Sequence, residues 1–165
     1  MIYNSSNFLM TAGLLARELG IKVPIRVMIL DDDPTYFPIF KMLLDKSGTN
    51  YIVKCVTSCD EAEKEIKDSN KDIYVIDVGL TECNGLDFVE KMQSLYGLFP
   101  FVFLTGNNMS DRVGMSRDCL TWIHKLDCTS PESLDRSMRY AIKSWHMRDI
   151  RCNKDCEKCR LNINY

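Results

Sequence analysis

Five short apolar runs recur along the middle of this chain, and the segments between them carry helix signals. The runs are Ile25 to Leu30, Tyr51 to Val56, Ile73 to Ile76, Phe101 to Leu104 and Leu120 to Ile123. Most are near-continuous in Val, Ile, Leu and Phe rather than alternating with polar residues. Strands buried on both faces have this composition, as in a parallel sheet covered by helices on each side. Tyr51 to Val56 is more mixed, which suits an edge strand. Ser58 and Glu61 form a capping box ahead of Ala62 to Lys67. Asn84-Gly85 is a turn signal before the helical spacing of Phe88, Met92 and Leu95. Ser130-Pro131 is an N-cap and first-turn pair for a helix to about Asp149, with Leu134, Met138, Ala141, Ile142 and Trp145 on its apolar face. Pro34 can open a helix after the first run, but Pro38 would remove an intrahelical hydrogen bond, so a late start or a kink is expected there. Five strands alternating with five helices make an α/β doubly wound domain with a five-stranded parallel sheet flanked by helices.

Composition bounds what surrounds that core. A chain of 165 residues with 45% hydrophobic side chains has enough apolar surface for one domain with a real core. A net charge of only −2 at that hydrophobicity excludes intrinsic disorder. No apolar run reaches the about 18 residues of a membrane span. Phe8 to Ala16 is apolar, yet nothing basic precedes it, so a secretory signal is not expected and a cytoplasmic location is. The 8 cysteines are then expected as reduced thiols, with Cys55, Cys59, Cys83, Cys119 and Cys128 lacking any shared function. A pI near 5.7 gives no reason to expect nucleic acid as a bulk partner.

Three segments follow: 1–23 as an extension with an amphipathic helix from about Ser6 to Leu19, 24–149 as the α/β domain, and 150–165 as a polar, cysteine-rich tail. Cys152, Cys156 and Cys159, with His146, have the residue types for zinc, although a reduced, frayed tail is the simpler reading. Residues 136–160 hold eight Lys or Arg against three Asp or Glu, most simply a solvated helix face.

In open parallel sheets, ligands bind outside the carboxyl ends of the strands. Directly after the first run stand Asp31, Asp32 and Asp33; after the third, Asp77; after the fourth, Thr105; and after the fifth, Lys125. Carboxylates brought this close repel, so some protonate or a divalent cation neutralises them. All-oxygen donors in a surface crevice favour Mg²⁺. A carboxylate beside Mg²⁺, with ammonium and hydroxyl donors nearby, suits formation of an aspartyl phosphate, whose peripheral oxygens those donors would neutralise.

At these residues the chain resembles the receiver domains of two-component response regulators. Val27-Met-Ile-Leu-Asp-Asp-Asp-Pro34 is similar to the family's first strand and acidic cluster, and Asp72-Ile-Tyr-Val-Ile-Asp77 with Asn84-Gly85 to its phosphoacceptor strand and following loop. Phe101-Val-Phe-Leu-Thr-Gly106 and Trp122-Ile-His-Lys125 match its switch threonine and its lysine. The resemblance covers residues 24–149 and implies the flavodoxin-like receiver fold, with strand order 2-1-3-4-5. It further implies Asp77 as phosphoacceptor, and Asp31 and Asp32 as the acidic pair that organises Mg²⁺. The Gly79 carbonyl would be a backbone ligand, Thr105 and Lys125 would contact phosphoryl oxygens, and Trp122 would be the switch aromatic. The implied partners are a sensor histidine kinase or phosphotransfer protein as donor, and a downstream protein on the face of the fourth helix, fifth strand and fifth helix. No membrane and no direct nucleic-acid contact are expected, and the apolar face of the long last helix is suited to homodimerisation. Such a domain is not an enzyme beyond slow self-dephosphorylation. The departures are Leu126 for the family's usual proline after the lysine, Gly79 for a bulkier residue, and Thr81 for a common proline.

Two rivals share these residues. A receiver-like interaction module would keep the fold without being phosphorylated. Asp31-Asp-Asp33-Pro-Thr35 also fits the Asp-x-Asp-x-Thr pattern of haloacid-dehalogenase-like phosphatases, with Asp31 as nucleophile and Asp33 as acid/base. That pattern leaves Asp77 unexplained and needs an acidic pair where Asp127 stands alone.

Overall fold

The computed structural model describes residues 24–68, 70–97, 99–106, 122–127 and 129–151. The amphipathic helix expected within 1–23, the fourth helix expected before the fifth strand, and the Cys152, Cys156 and Cys159 cluster lie outside these residues, as does the side chain of His146.

Chain order is β1 (Ile25–Leu30), α1 (Tyr36–Lys46), β2 (Tyr51–Val56), α2 (Cys59–Lys67), β3 (Ile73–Asp77), α3 (Gly85–Tyr96), β4 (Phe101–Thr105), β5 (Trp122–His124), a 3-10 turn (Lys125–Asp127) and α4 (Pro131–Arg151). The five strands form one sheet in the order β2-β1-β3-β4-β5, with every pairing parallel. The mixed run Tyr51–Val56 is an edge strand, as its composition predicts. The fifth strand begins later than the run Leu120 to Ile123 suggests, and His124, paired with Thr105, closes it.

Period-two alternation along the strands divides the core into two layers. Val27, Ile29, Val75, Val102 and Leu104 point to one face and meet Phe40 and Leu44 of α1 and Leu134 and Met138 of α4. Met28, Leu30, Tyr74, Ile76 and Phe103 point to the other and meet Ala62 and Ile66 of α2 and Phe88 and Met92 of α3. Each fully buried side chain of this size contributes about 1.5–3 kcal/mol. Both faces are thereby covered, which is why the strand runs read as continuously apolar.

The helix starts follow local chemistry. Ser58 caps α2 by accepting from the Glu61 N–H at 3.3 Å, while the Glu61 carboxylate accepts from the Thr57 N–H at 3.4 Å. This is the expected capping box, with its return bond shifted by one residue. Asn84 caps α3 through the Leu86 N–H at 2.8 Å, and Ser130 caps α4 through the Ser133 N–H at 3.1 Å. Helix α1 begins late, at Tyr36, so Pro38 falls in its first turn, where a backbone N–H has no intrahelical acceptor to lose.

Between β1 and β3 the chain order reverses direction across the sheet. The crevice at the carboxyl ends of these two strands is the switch point of the fold.

Candidate functional site

Asp31 directly follows β1 and Asp77 ends β3, so neighbouring parallel strands deliver both carboxylates to that crevice. Both are buried, Asp31 at 0% and Asp77 at 5% exposure. Lys125, at the start of the 3-10 turn after β5, reaches across β4 to them. Its Nζ lies 2.6 Å from Asp31 Oδ2 and 3.3 Å from Asp77 Oδ2. Leu126 in place of proline does not prevent this reach; the turn is held by the Leu126 N–H donating to His124 Nδ1 at 3.1 Å. The Lys125 stem passes Gly106, and its ammonium stands 5.0 Å above the Tyr36 ring, a cation–π contact. Nothing local in the sequence signals Tyr36, because its partner is far along the chain.

The rest of the acidic run is held differently. Asp31 Oδ1 accepts from the Asp33 N–H at 3.0 Å, and Asp33 Oδ1 accepts from both the N–H and hydroxyl of Thr35. Asp33 is turned into its own loop and does not join the cluster. Asp32 crosses to the loop after β3, where its Oδ2 accepts from the Thr81 N–H at 2.8 Å. Asp31, Asp32 and Asp77 each offer one oxygen within 4.8 Å of the others.

The electrostatics follow from burial and pairing. Desolvation raises the Asp77 carboxyl above its ordinary value; Lys125 opposes this, and the neighbouring Asp31 adds to it. Hydrogen bonds from the Thr81 side chain and backbone lower Asp32, and those from Thr35 lower Asp33. Lys125 is raised overall: burial acts against its charge, but the bonds and charges of Asp31 and Asp77 outweigh it. One ammonium beside three carboxylates leaves excess negative charge. A hard divalent cation with oxygen preference fits that donor set, and Mg²⁺ asks for only one or two carboxylates.

Thr105, at the end of β4, is 9% exposed, and β4 holds the exit of β3 through the Val78 N–H to Leu104 O bond of 3.0 Å. A Cβ on Gly79 would stand 3.9 Å from Asp77 Oδ2, in ordinary van der Waals contact with that carboxylate. Gly85 is tighter. A Cβ there would lie 2.1 Å from the Asp77 carbonyl oxygen, so the start of α3 packs directly on the Asp77 backbone. Trp122 is half-buried, with its ring 4.8 Å from that of Phe103.

One expectation is corrected. Cys59 and Cys83, read from the sequence as separate reduced thiols, are joined by a disulfide. The fold brings the start of α2 and the loop after β3 to the same edge of the sheet. Twenty-four residues of separation carry no sequence signal of this. Cys55 is a free thiol, which burial pushes up.

Known proteins share this fold. Residues 27–119, more than half the chain, match the family model of the response regulator receiver domain. A protein-glutamate methylesterase/protein-glutamine glutaminase of Rhizobium etli is 31% identical over 75 residues, which are 46% of this chain and 22% of that protein. Transcriptional regulatory protein TrcR of Mycobacterium tuberculosis is 30% identical over 91 residues, 54% of this chain and 35% of that one. The chain thus spans between about a fifth and a third of the length of these relatives. Among solved structures, a CheY-like response regulator receiver domain protein of Methanospirillum hungatei superposes with a TM-score of 0.57 at 19% identity, covering 76% of this chain and 99% of that one. The chemotaxis response regulator CheY4 of Vibrio cholerae gives 0.56 at 22% identity, covering 72% and 99%. With the order 2-1-3-4-5 and the acidic crevice at its switch point, this chain belongs to the response regulator receiver domain family.

Proposed function

We propose that the chain is a phosphoacceptor in a phosphorelay, taking a phosphoryl group onto Asp77 from the phosphohistidine of a sensor histidine kinase or a phosphotransfer protein. The observation that carries this reading is Lys125 Nζ bridging the two buried carboxylates Asp31 and Asp77, with Asp32 beside them. An Asp77 oxygen attacks phosphorus, the phosphorus–nitrogen bond of the donor breaks, and the imidazole leaves with that electron pair. Burial strips water from the Asp77 carboxylate and makes it a better nucleophile, while the charge of Lys125 opposes the rise in its pKa that burial causes. Lys125 and Thr105 then bind the peripheral oxygens of the phosphoryl group. Asp31, Asp32, Asp77 and the Gly79 carbonyl would hold Mg²⁺, which when bound supplies charge neutralisation for the incoming phosphoryl group.

Movement of Thr105 toward the phosphoryl group vacates space beside β5, and Trp122, stacked on Phe103, is the aromatic that follows it. The readout surface is the face around β5 and α4, where the large side chains Leu126 and Tyr140 stand 73% and 66% exposed. A downstream protein, rather than nucleic acid, is the partner assigned to that face. Hydrolysis of the acyl phosphate resets the domain, with no external substrate turned over. The location proposed is the cytoplasm, where such donors act; among the described residues no helix is long and apolar enough to cross a membrane.

The phosphatase alternative is disfavoured. Asp31 has one oxygen on Lys125 and the other on the Asp33 N–H, and Asp33 is occupied by Thr35 instead of facing a leaving group. The test is intact-mass analysis after incubation with a small acyl phosphate, with and without Mg²⁺. The expected result is one hydroxylamine-labile phosphoryl group that needs Mg²⁺ and is absent from Asp77→Asn. No label where a control receiver is labelled would leave the unphosphorylated interaction module as the function.

A further inference from the structure

The loop between Asp77 and α3 carries Gly79 and Thr81 of the candidate site, and its last residue but one is Cys83. Three ties hold it. The Gly85 N–H donates to Val78 O at 3.1 Å, closing the loop on itself. The Thr81 N–H donates to Asp32 Oδ2 at an exposed position. The third tie is covalent, from Cys83 to Cys59, the first residue of α2. Helix α2 is in turn fixed by its Ser58 cap and by Ala62 and Ile66 in the core. Beyond the loop's first residue Val78, the cystine is therefore the one bond among these that couples the loop beside the phosphoacceptor to the body of the domain irrespective of site occupancy. Both cysteines are half-buried at the carboxyl edge of the sheet, within reach of a small oxidant.

We infer that Cys59 and Cys83 form a reversible thiol–disulfide modification site, whose oxidation restrains the Val78 to Asn84 loop and speeds phosphoryl acceptance at Asp77. The effect on acceptance rests on the function proposed above; the thiol chemistry does not. The oxidant is a peroxide. The Cys59 thiolate attacks the peroxide. A sulfur–oxygen bond forms, the oxygen–oxygen bond breaks and one water leaves. The Cys83 sulfur then displaces the second oxygen as water, closing the disulfide, and the two cysteines together lose two electrons. A dithiol reverses the reaction by exchange and is itself oxidised to a disulfide. The cross-link removes conformations of the free loop, so less entropy is lost when the Gly79 backbone and Asp32 take their bound positions.

The test uses the full chain treated with hydrogen peroxide or with a dithiol reductant. Non-reducing peptide mapping is expected to find the Cys59–Cys83 cross-linked peptide after peroxide and to lose it after the dithiol. Hydrogen exchange at the amides of residues 78–84, measured with neither Mg²⁺ nor phosphoryl donor, is expected to slow in the oxidised form. Initial labelling by an acyl phosphate is expected to be several-fold faster for the oxidised protein, and both Cys59→Ser and Cys83→Ser should behave as the reduced wild type under either treatment. A missing cross-link, unchanged exchange, or labelling that is equal or slower after oxidation would overturn the inference, as would an effect that survives in Cys83→Ser. If neither redox form is labelled while exchange still slows, the acceptor assignment fails and the coupling to it fails with it, but the thiol site stands.

Discussion

The loops after β1 and after β3 both feed the acidic crevice, yet they are held by opposite means. The Asp31 to Thr35 loop is organised by bonds that span two residues: the Asp33 N–H to Asp31, and the Thr35 N–H and hydroxyl to Asp33. The Val78 to Asn84 loop is organised mainly from a distance. Its Thr81 is tied to Asp32, its Cys83 to Cys59, and its entry to Leu104 of β4. A loop of the first kind forms wherever its residues occur together, because Asp and Thr side chains satisfy nearby backbone groups. A loop of the second kind exists only once the sheet has assembled. The first thus serves as a fixed platform, and the second is the part that the proposed thiol–disulfide site would couple to Asp77.

Perturbations that separate these two modes should differ in size. The largest effect is expected from Gly85→Ala, because the new Cβ meets backbone at 2.1 Å and no flexible side chain can yield. A loss of about 3 kcal/mol or more in urea unfolding is predicted. Lys125→Met comes next. It leaves Asp31 and Asp77 buried side by side, and since the Lys125 side chain is 22% exposed, a cost of about 2 kcal/mol is expected, below that of a fully buried pair. Added Mg²⁺ should raise the thermal midpoint of this variant more than that of wild type, and an equal rise would argue against a shared site. The variant is still expected to accept a phosphoryl group, with a weakened conformational response.

Thr81→Pro deletes the N–H that reaches Asp32, and at this exposed position about 0.5 kcal/mol is at stake. Its pH dependence is more telling than its size. The Asp32 carboxyl is lowered by Thr81, so the bond's stabilisation is present above the ordinary carboxylate pKa and fades as pH falls through the lowered one. The variant and wild type should therefore converge in acid and differ at neutral pH. The smallest effect is expected for Asp33→Ala, whose unfolding midpoint should match wild type because its bonds are local and solvated. A clear shift there would mean that the first loop depends on the rest of the site after all.

The same contrast explains how much was legible beforehand. Strand runs buried on both faces betray a parallel sheet, and the cap residues Ser58 and Ser130 and the turn signal Asn84-Gly85 mark helix starts, because these signals act over a few residues. Asp31, Asp32, Asp77 and Lys125 were placed by the rule that strand ends converge. That rule says where residues meet but not how they bond. Tyr36 under Lys125, Gly85 against the Asp77 carbonyl and the Cys59–Cys83 disulfide are products of assembly. The expected cytoplasmic location suggested reduced thiols, and nothing in cysteine count or spacing reports that the edges of α2 and the β3 loop adjoin.

The central claim is that Asp77, and not another carboxylate of the cluster, takes the phosphoryl group. Its most direct test is to label the chain with an acyl phosphate, reduce the product with borohydride and locate the modified residue by peptide mass spectrometry. Reduction of an aspartyl phosphate gives homoserine, and the account predicts it at position 77 alone, with Asp31 and Asp32 unmodified. Homoserine at position 31 would instead make Asp31 the nucleophile and contradict the account.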